Sequence, residues 1–173
     1  MAFTLYEATV ANYQQTLAAL GGILDKGLEH AKAHDIKPED IVEAKLATDM
    51  LPVRFQIVSA VHHSRGAIEG TQNGVFEPPA RRPELTYADL QALIKDAQAW
   101  LSKLTPESVN ALAGRDVIFK LGDRQMPFTA EGFLMSFSLP NFYFHTTTAY
   151  DILRMKGVPL GKRDYLGRMR MKG

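Results

Sequence analysis

An all-α domain of four helices packed as a bundle, with a small β-hairpin before the last helix, is the fold class that this sequence predicts. Three observations predict it. Apolar residues recur at helical spacing in four long stretches; loops rich in proline and glycine interrupt them; one segment instead alternates apolar and polar residues around Gly122 and Asp123. With 173 residues, 46% of them hydrophobic, the chain is long enough for one domain with a real core. Residues 1–173 are therefore read as a single domain, with a C-terminal tail over about 157–173.

The first helix carries the clearest stripe: Tyr6, Val10, Tyr13, Leu17, Leu20, Leu24 and Leu28 stand three or four residues apart. Gly21 and Gly22 lie inside it at a cost of about 1 kcal/mol each relative to alanine, which points to close approach of another helix or to a kink. The pattern stops at "AHDIKPED". A second helix is expected to open at "TDMLP", with Thr48 or Asp49 as cap and Pro52 in the first turn, and to run to about Glu69. Its apolar stripe reads Leu51, Phe55, Val58, His62, with His63 in line with Gln56 instead. "GTQNGVFEPPARRPEL" is turn chemistry that no helix crosses.

The third helix starts at "TYAD", close to a capping box, and continues through Leu90, Leu93, Ile94, Ala97, Leu101 and Leu104. "RDVIFKLGDRQMPFT" then reads as the hairpin. Thr129 caps a last helix from about Ala130 to Lys156, in which Pro140 should introduce a kink and release the carbonyl of Ser136. The tail beyond it reads as irregular.

Composition excludes several chemistries. No cysteine is present, which removes disulfides, thiolate metal sites and a cysteine nucleophile. A formal net charge of +1, with both signs interspersed, gives no overall attraction to nucleic acid or anionic lipid. The first 25 residues hold no Lys or Arg, so they lack the basic region of a signal or transit peptide, and no apolar run approaches a membrane span. A cytoplasmic protein with no membrane partner is expected.

The last helix holds the sharpest signal, "NFYFHTTTAYDILR". At about 100° per residue, Leu134, Ser138, Asn141, Thr148 and Ile152 all fall within about 60° of His145. Phe137 and Phe144 flank this line on one side, Phe142 and Leu153 on the other. Polar groups thus run down the middle of an apolar face, and each costs roughly 1 to 3 kcal/mol to bury without a hydrogen bond. Two readings stay open: an internally satisfied network, or a ligand or metal pocket between facing helices.

"LPNFYFHTTTAYDILRMKGVPLGKRDYLG", together with "DMLPVRFQ", resembles a bacterial family of uncharacterised proteins in the DinB/YfiT-like superfamily. The resemblance implies a DinB-like four-helix bundle, often a homodimer, with a site in the bundle core. In better-known members three histidines bind a divalent metal, two of them from an H-x-x-x-H pair on the last helix, and some members are thiol-dependent transferases or isomerases. His145 takes the second place of that pair; Asn141 stands at the first, and His62 or His63 would supply the remaining ligand. An amide oxygen is a weak ligand for zinc, nickel or manganese, so a metal on His145 and His62 would be held less tightly than by three histidines.

The expected site is therefore a small-molecule pocket lined by Asn141, His145, His62 or His63, Gln56 and Tyr143, with metal-assisted, thiol-transfer or hydrolytic chemistry in which His145 is ligand or general base. The competing expectation is a non-catalytic binding or structural bundle that has lost the metal site. Other features read as bland. His30 and His34 sit four apart but off the apolar stripe, and Asp49, Asp89 and Asp151 read as cap or surface groups. Ser138 lacks a nucleophile motif, and "GVPLGK" is no phosphate loop. The basic tail, Arg154 to Lys172, has no aromatic platform for nucleic acid and reads as solvated or docked on a partner.

Overall fold

The structure, a computed structural model, describes residues 3–172 and is mostly helical with a small sheet. Thr4 and Glu7 form a reciprocal capping box that starts α1 (Leu5–Ala8). Thr9, at φ −120° and ψ −77°, offsets it from α2 (Val10–Ala33). The expected stripe is the buried one: Val10, Tyr13, Leu17, Leu20 and Leu24 are all sealed from solvent. The close approach, however, falls on neither Gly21 nor Gly22. It occurs at Gly27, where an added Cβ would meet Leu153 at 2.9 Å and the Tyr87 hydroxyl closer still.

After α3 (Pro38–Val42), the second long stretch departs from expectation in three ways. Thr48 and Asp49 lie in a turn, and α4 (Val53–Val61) begins after Pro52 without a side-chain cap. It passes into a π-helical turn, π1 (His62–Gly66), then continues as α5 (Ala67–Asn73) to Gly74, whose φ of +75° ends it. The apolar stripe faces outward. Leu51 is exposed and Phe55, Val58 and His62 are half-buried, while Val53, Gln56, Ile57, Ser59, Ala60 and His63 are buried. Gln56, Ser59, Ala60 and His63 lie on the inner side with Val53 and Ile57, and α4 packs there against α9.

Thr86 and Asp89 cap α6 (Tyr87–Leu101) reciprocally, as expected. A short α7 (Pro106–Asn110) follows, opened by Thr105. The hairpin is present as β2 (Asp116–Leu121) and β3 (Arg124–Thr129), antiparallel with Leu121 opposite Arg124 across Gly122, whose φ is +57°. It belongs to a larger unit than expected. A two-residue strand, β1 (Val75–Phe76), pairs parallel with β2 in the register Val75 to Ile118, so the sheet has the order β1-β2-β3.

Thr129 accepts a hydrogen bond from the Gly132 amide and caps α8 (Ala130–Gly132), which runs into π2 (Phe133–Ser138) and α9 (Leu139–Met155). The disturbance expected from Pro140 is taken up by this π turn just before it, where the Leu139 amide reaches back five residues to the Leu134 carbonyl. The tail is irregular except for one short helix, α10 (Lys162–Leu166), which docks on α2, with Lys26 bound to Asp164 at 2.6 Å and Tyr165 against Thr146 and Thr147. In the core α4 packs on both α6 and α9, and α2 on the same two helices. Among the described residues no helix is long and apolar enough to cross a membrane.

Candidate functional site

The inner line of α4 and π1 meets the polar seam of α9. Leu134, Ser138, Thr148 and Ile152 are buried as the angular count predicts, and His145 is only 9% exposed. Its Nδ1 lies 2.8 Å from Oε1 of Gln56, while Nε2 of Gln56 donates to the Leu51 carbonyl at 2.8 Å. Because the Gln56 oxygen can only accept, Nδ1 of His145 carries the proton and Nε2 presents a lone pair. Nε2 makes no hydrogen bond to any described residue. Burial pushes the His145 imidazole down to about 4, so it is neutral at neutral pH.

His63, rather than His62, is its neighbour. The two rings stack with centroids 5.9 Å apart at 15°, and burial, with the nearby His62 and His145, holds His63 down at about 3. Ser138 donates to the His63 carbonyl at 2.9 Å and stands 3.5 Å from its Nδ1. This contact joins the two π turns, since His63 lies in π1 and Ser138 closes π2. A π turn shifts each amide to a carbonyl five residues back and widens the helix locally, a feature common at functional sites. Phe137 packs on His63 at 5.6 Å, and Phe76, Phe119, Phe128 and Phe133 continue an aromatic plug that links the seam to the sheet.

The remaining expected residues lie apart from this centre. Asn141 turns its amide onto its own helix, donating to the Phe137 carbonyl at 2.7 Å, and Thr148 donates likewise to the Phe144 carbonyl. His62 points to the opposite side, where its Nε2 is 2.6 Å from the Glu77 carbonyl. Tyr143 is exposed and faces the docked tail, its phenol raised by partial burial and the nearby Tyr165.

Two buried groups went unnoticed in the sequence. The hydroxyls of Tyr13 and Ser59 are sealed from solvent and have no hydrogen-bond partner. Tyr13 packs edge-on against Phe142 at 4.9 Å, and Ser138 lies beside its hydroxyl without reaching hydrogen-bond geometry. Burial drives this phenol well above its ordinary range. The only sequence signal for Tyr13 was a hydroxyl within an otherwise apolar stripe.

Among the described residues no group of three or more His, Cys, Asp or Glu side chains is placed to hold a metal ion. Four cavities open elsewhere, none lined by Gln56, His63, Asn141 or His145. His30 and His34 stack on each other at 4.1 Å on the surface, and Ser138 is spent on His63.

Comparison with known proteins agrees with this architecture. The model of a domain of unknown function, DUF1993, matches residues 5–166. The crystal structure of a DinB family member protein from Shewanella denitrificans superposes with a TM-score of 0.81 at 27% identity, covering 98% of this chain and 95% of that one. No curated protein matches the sequence.

Proposed function

The chain belongs to the DUF1993 family, and from that premise we propose that it is a DinB-like four-helix bundle acting as a non-catalytic binding module whose histidine seam is structural. The four-helix reading is supported by the packing of α2 and α4 each on both α6 and α9. The observation that carries the functional reading is the placement of Asn141. Where the resemblance puts a histidine ligand, this side chain is bonded to the Phe137 carbonyl, and the centre is left with two imidazoles whose Nδ1 edges face Gln56 and Ser138. Zinc, nickel or manganese needs more nitrogen or carboxylate donors than that set offers, so these residues do not fit a resident divalent metal.

Metal analysis of protein purified without an affinity tag tests the reading. No stoichiometric metal and no thermal shift on adding zinc, nickel or manganese are expected. Asn141→His, which completes the H-x-x-x-H pair, should raise zinc affinity by about 100-fold or more. One equivalent of metal retained by the unmodified chain, and lost in His145→Ala, would overturn the proposal.

A second reading is favoured by the unpartnered Tyr13 and Ser59 hydroxyls and the free Nε2 of His145. In it the seam binds a small molecule and the neutral His145 serves as general base for thiol-transfer or hydrolytic chemistry. Turnover of a thiol with an aryl chloride, abolished in His145→Gln, would support it. A homodimer in solution completes the proposal, to be read from the mass by light scattering.

A further inference from the structure

The apolar stripe Leu51, Phe55, Val58 and His62 is only partly spent on the core, through Val58 and through Phe55 against the His145 ring at 5.8 Å, and its open side faces a groove. Two cavities, of about 630 and 310 Å³, lie between the outer line of α4, π1 and α5 and the loop that follows β1. They share Val58, Ala80 and Arg82, and so lie side by side along the stripe. The larger alone has the size of a small-molecule site. Leu51, Phe55, Val58 and Phe76 give an apolar floor, with Pro78 and Pro79 on the facing wall.

The rim is basic. Four arginines, Arg54, Arg65, Arg81 and Arg82, line the two cavities with two acids, Glu69 and Glu77, and Arg54 is paired with Glu43. The way two of the arginines are held matters more than their number. Arg65 meets Glu69 through Nε at 2.8 Å, and Arg82 meets Glu84 through Nε at 2.6 Å. Neither uses its terminal nitrogens on any described residue, so the two-pronged end of each guanidinium is left for another acceptor. Arg65 also lies over the Trp100 ring, 5.4 Å from its centroid, which steadies its plane. The wall is fixed as well: His62 binds the Glu77 carbonyl and stacks on Phe76 at 4.4 Å, and Gly70 admits Phe76 where a Cβ would come within 2.9 Å of that ring.

We propose that this groove binds an amphipathic organic carboxylate, its apolar body on the Leu51, Phe55, Val58 and Phe76 floor and its carboxylate on the free ends of Arg65 and Arg82. The inference names the ligand class of the binding module proposed above and rests on that reading. Charge complementarity selects the acid over a neutral amphiphile, and the apolar length of the floor selects a chain or ring over a bare anion.

Titration of the full chain with octanoate and with octan-1-ol, followed by amide chemical shifts in ¹⁵N-labelled protein, tests this. Octanoate should bind at least tenfold tighter than octan-1-ol, with shifts over residues 51–82. Arg65→Gln/Arg82→Gln should lower octanoate affinity about tenfold, to the level of the alcohol, while Arg124→Gln, at an exposed arginine of the hairpin, leaves it unchanged. Val58→Asp should weaken both ligands and gives an independent check if the arginine pair alters stability. Equal affinity for acid and alcohol, shifts centred on α9, or full affinity in the double arginine variant would each overturn the groove. None of these outcomes depends on metal content, so failure here and failure of the metal prediction are distinguishable.

Discussion

The stretch from Leu51 to Gly66 has two lines of side chains that differ in kind. On the inner line, small or polar residues, Gln56, Ser59, Ala60 and His63, are buried beside Val53 and Ile57; on the outer line, Leu51, Phe55, Val58 and His62 are mostly bulky and at least partly open. Apolar bulk left partly open and polar groups fully buried are each the less usual placement. Small inner residues let α4 lie close to α9, and polar ones must then find partners across the contact, as Gln56 does on His145 and the His63 carbonyl does on Ser138. Apolar bulk placed outside is left to the loop after β1, which covers it only in part. The helix thus gives Val53 and Ile57 to the core and still has apolar surface on its other side, which is left to the groove.

Gln56→Ala should break the inner line most severely. It strips the acceptor from the His145 Nδ1 proton and the donor from the Leu51 carbonyl, and should cost about 2 to 4 kcal/mol. Chemical denaturation at neutral pH measures it.

The next effect is in pH. Both His63 and His145 are held below the ordinary imidazole range, so between about pH 4 and 6.5 the unfolded chain binds more protons than the folded one. Stability is therefore full above pH 6.5 and falls as the pH drops toward 4, with each unit of depression corresponding to about 1.4 kcal/mol. Melting curves across this window should show the loss, and His63→Gln/His145→Gln should reduce it, leaving the share of His62, which burial also holds below the ordinary range. An unchanged slope in the double variant would place the proton uptake elsewhere.

Tyr13→Phe should act in the opposite sense, raising stability by about 1 kcal/mol because the lost hydroxyl has no partner. If the seam instead holds a ligand through that hydroxyl, the variant loses binding. On the outer line Leu51→Ser should move stability by no more than about 0.5 kcal/mol, as expected of an exposed position. A larger loss would mean that the outer line is covered more fully than the structure describes.

What could be read from the sequence follows the range of the interaction that decides it. The Thr86–Asp89 and Thr129 caps and the Gly122 turn are local, and each appears where its residues predict. The seam of α9 was legible because a single angular count relates its residues, and burial follows that count at Leu134, Ser138, His145, Thr148 and Ile152, though Asn141 is half-buried and the flanking Phe144 is exposed. β1 was hidden, since two residues pair in parallel with a strand some forty positions away and nothing local marks them. The orientation of α4 was misread for a different reason. Apolar content normally identifies the inner face, and here both sides carry it: Val53 and Ile57 are buried with Gln56 and His63, while Leu51, Phe55 and Val58 stay partly open. Gly27 shows the same limit, because what crowds it is Tyr87 and Leu153, each from another helix.

The docked tail has a consequence for the order in which the chain can complete itself. Lys26 waits for Asp164, Gln15 for the Leu166 carbonyl, and Asn12 for Arg170, partners separated by some 140 to 160 residues. During synthesis α2 emerges early, yet its outer surface stays bare until α10 has left the ribosome. The earliest long helix is thus finished by the latest one, and a ribosome stalled short of Lys162 would hold a chain whose first long helix still offers that surface to solvent and to chaperones.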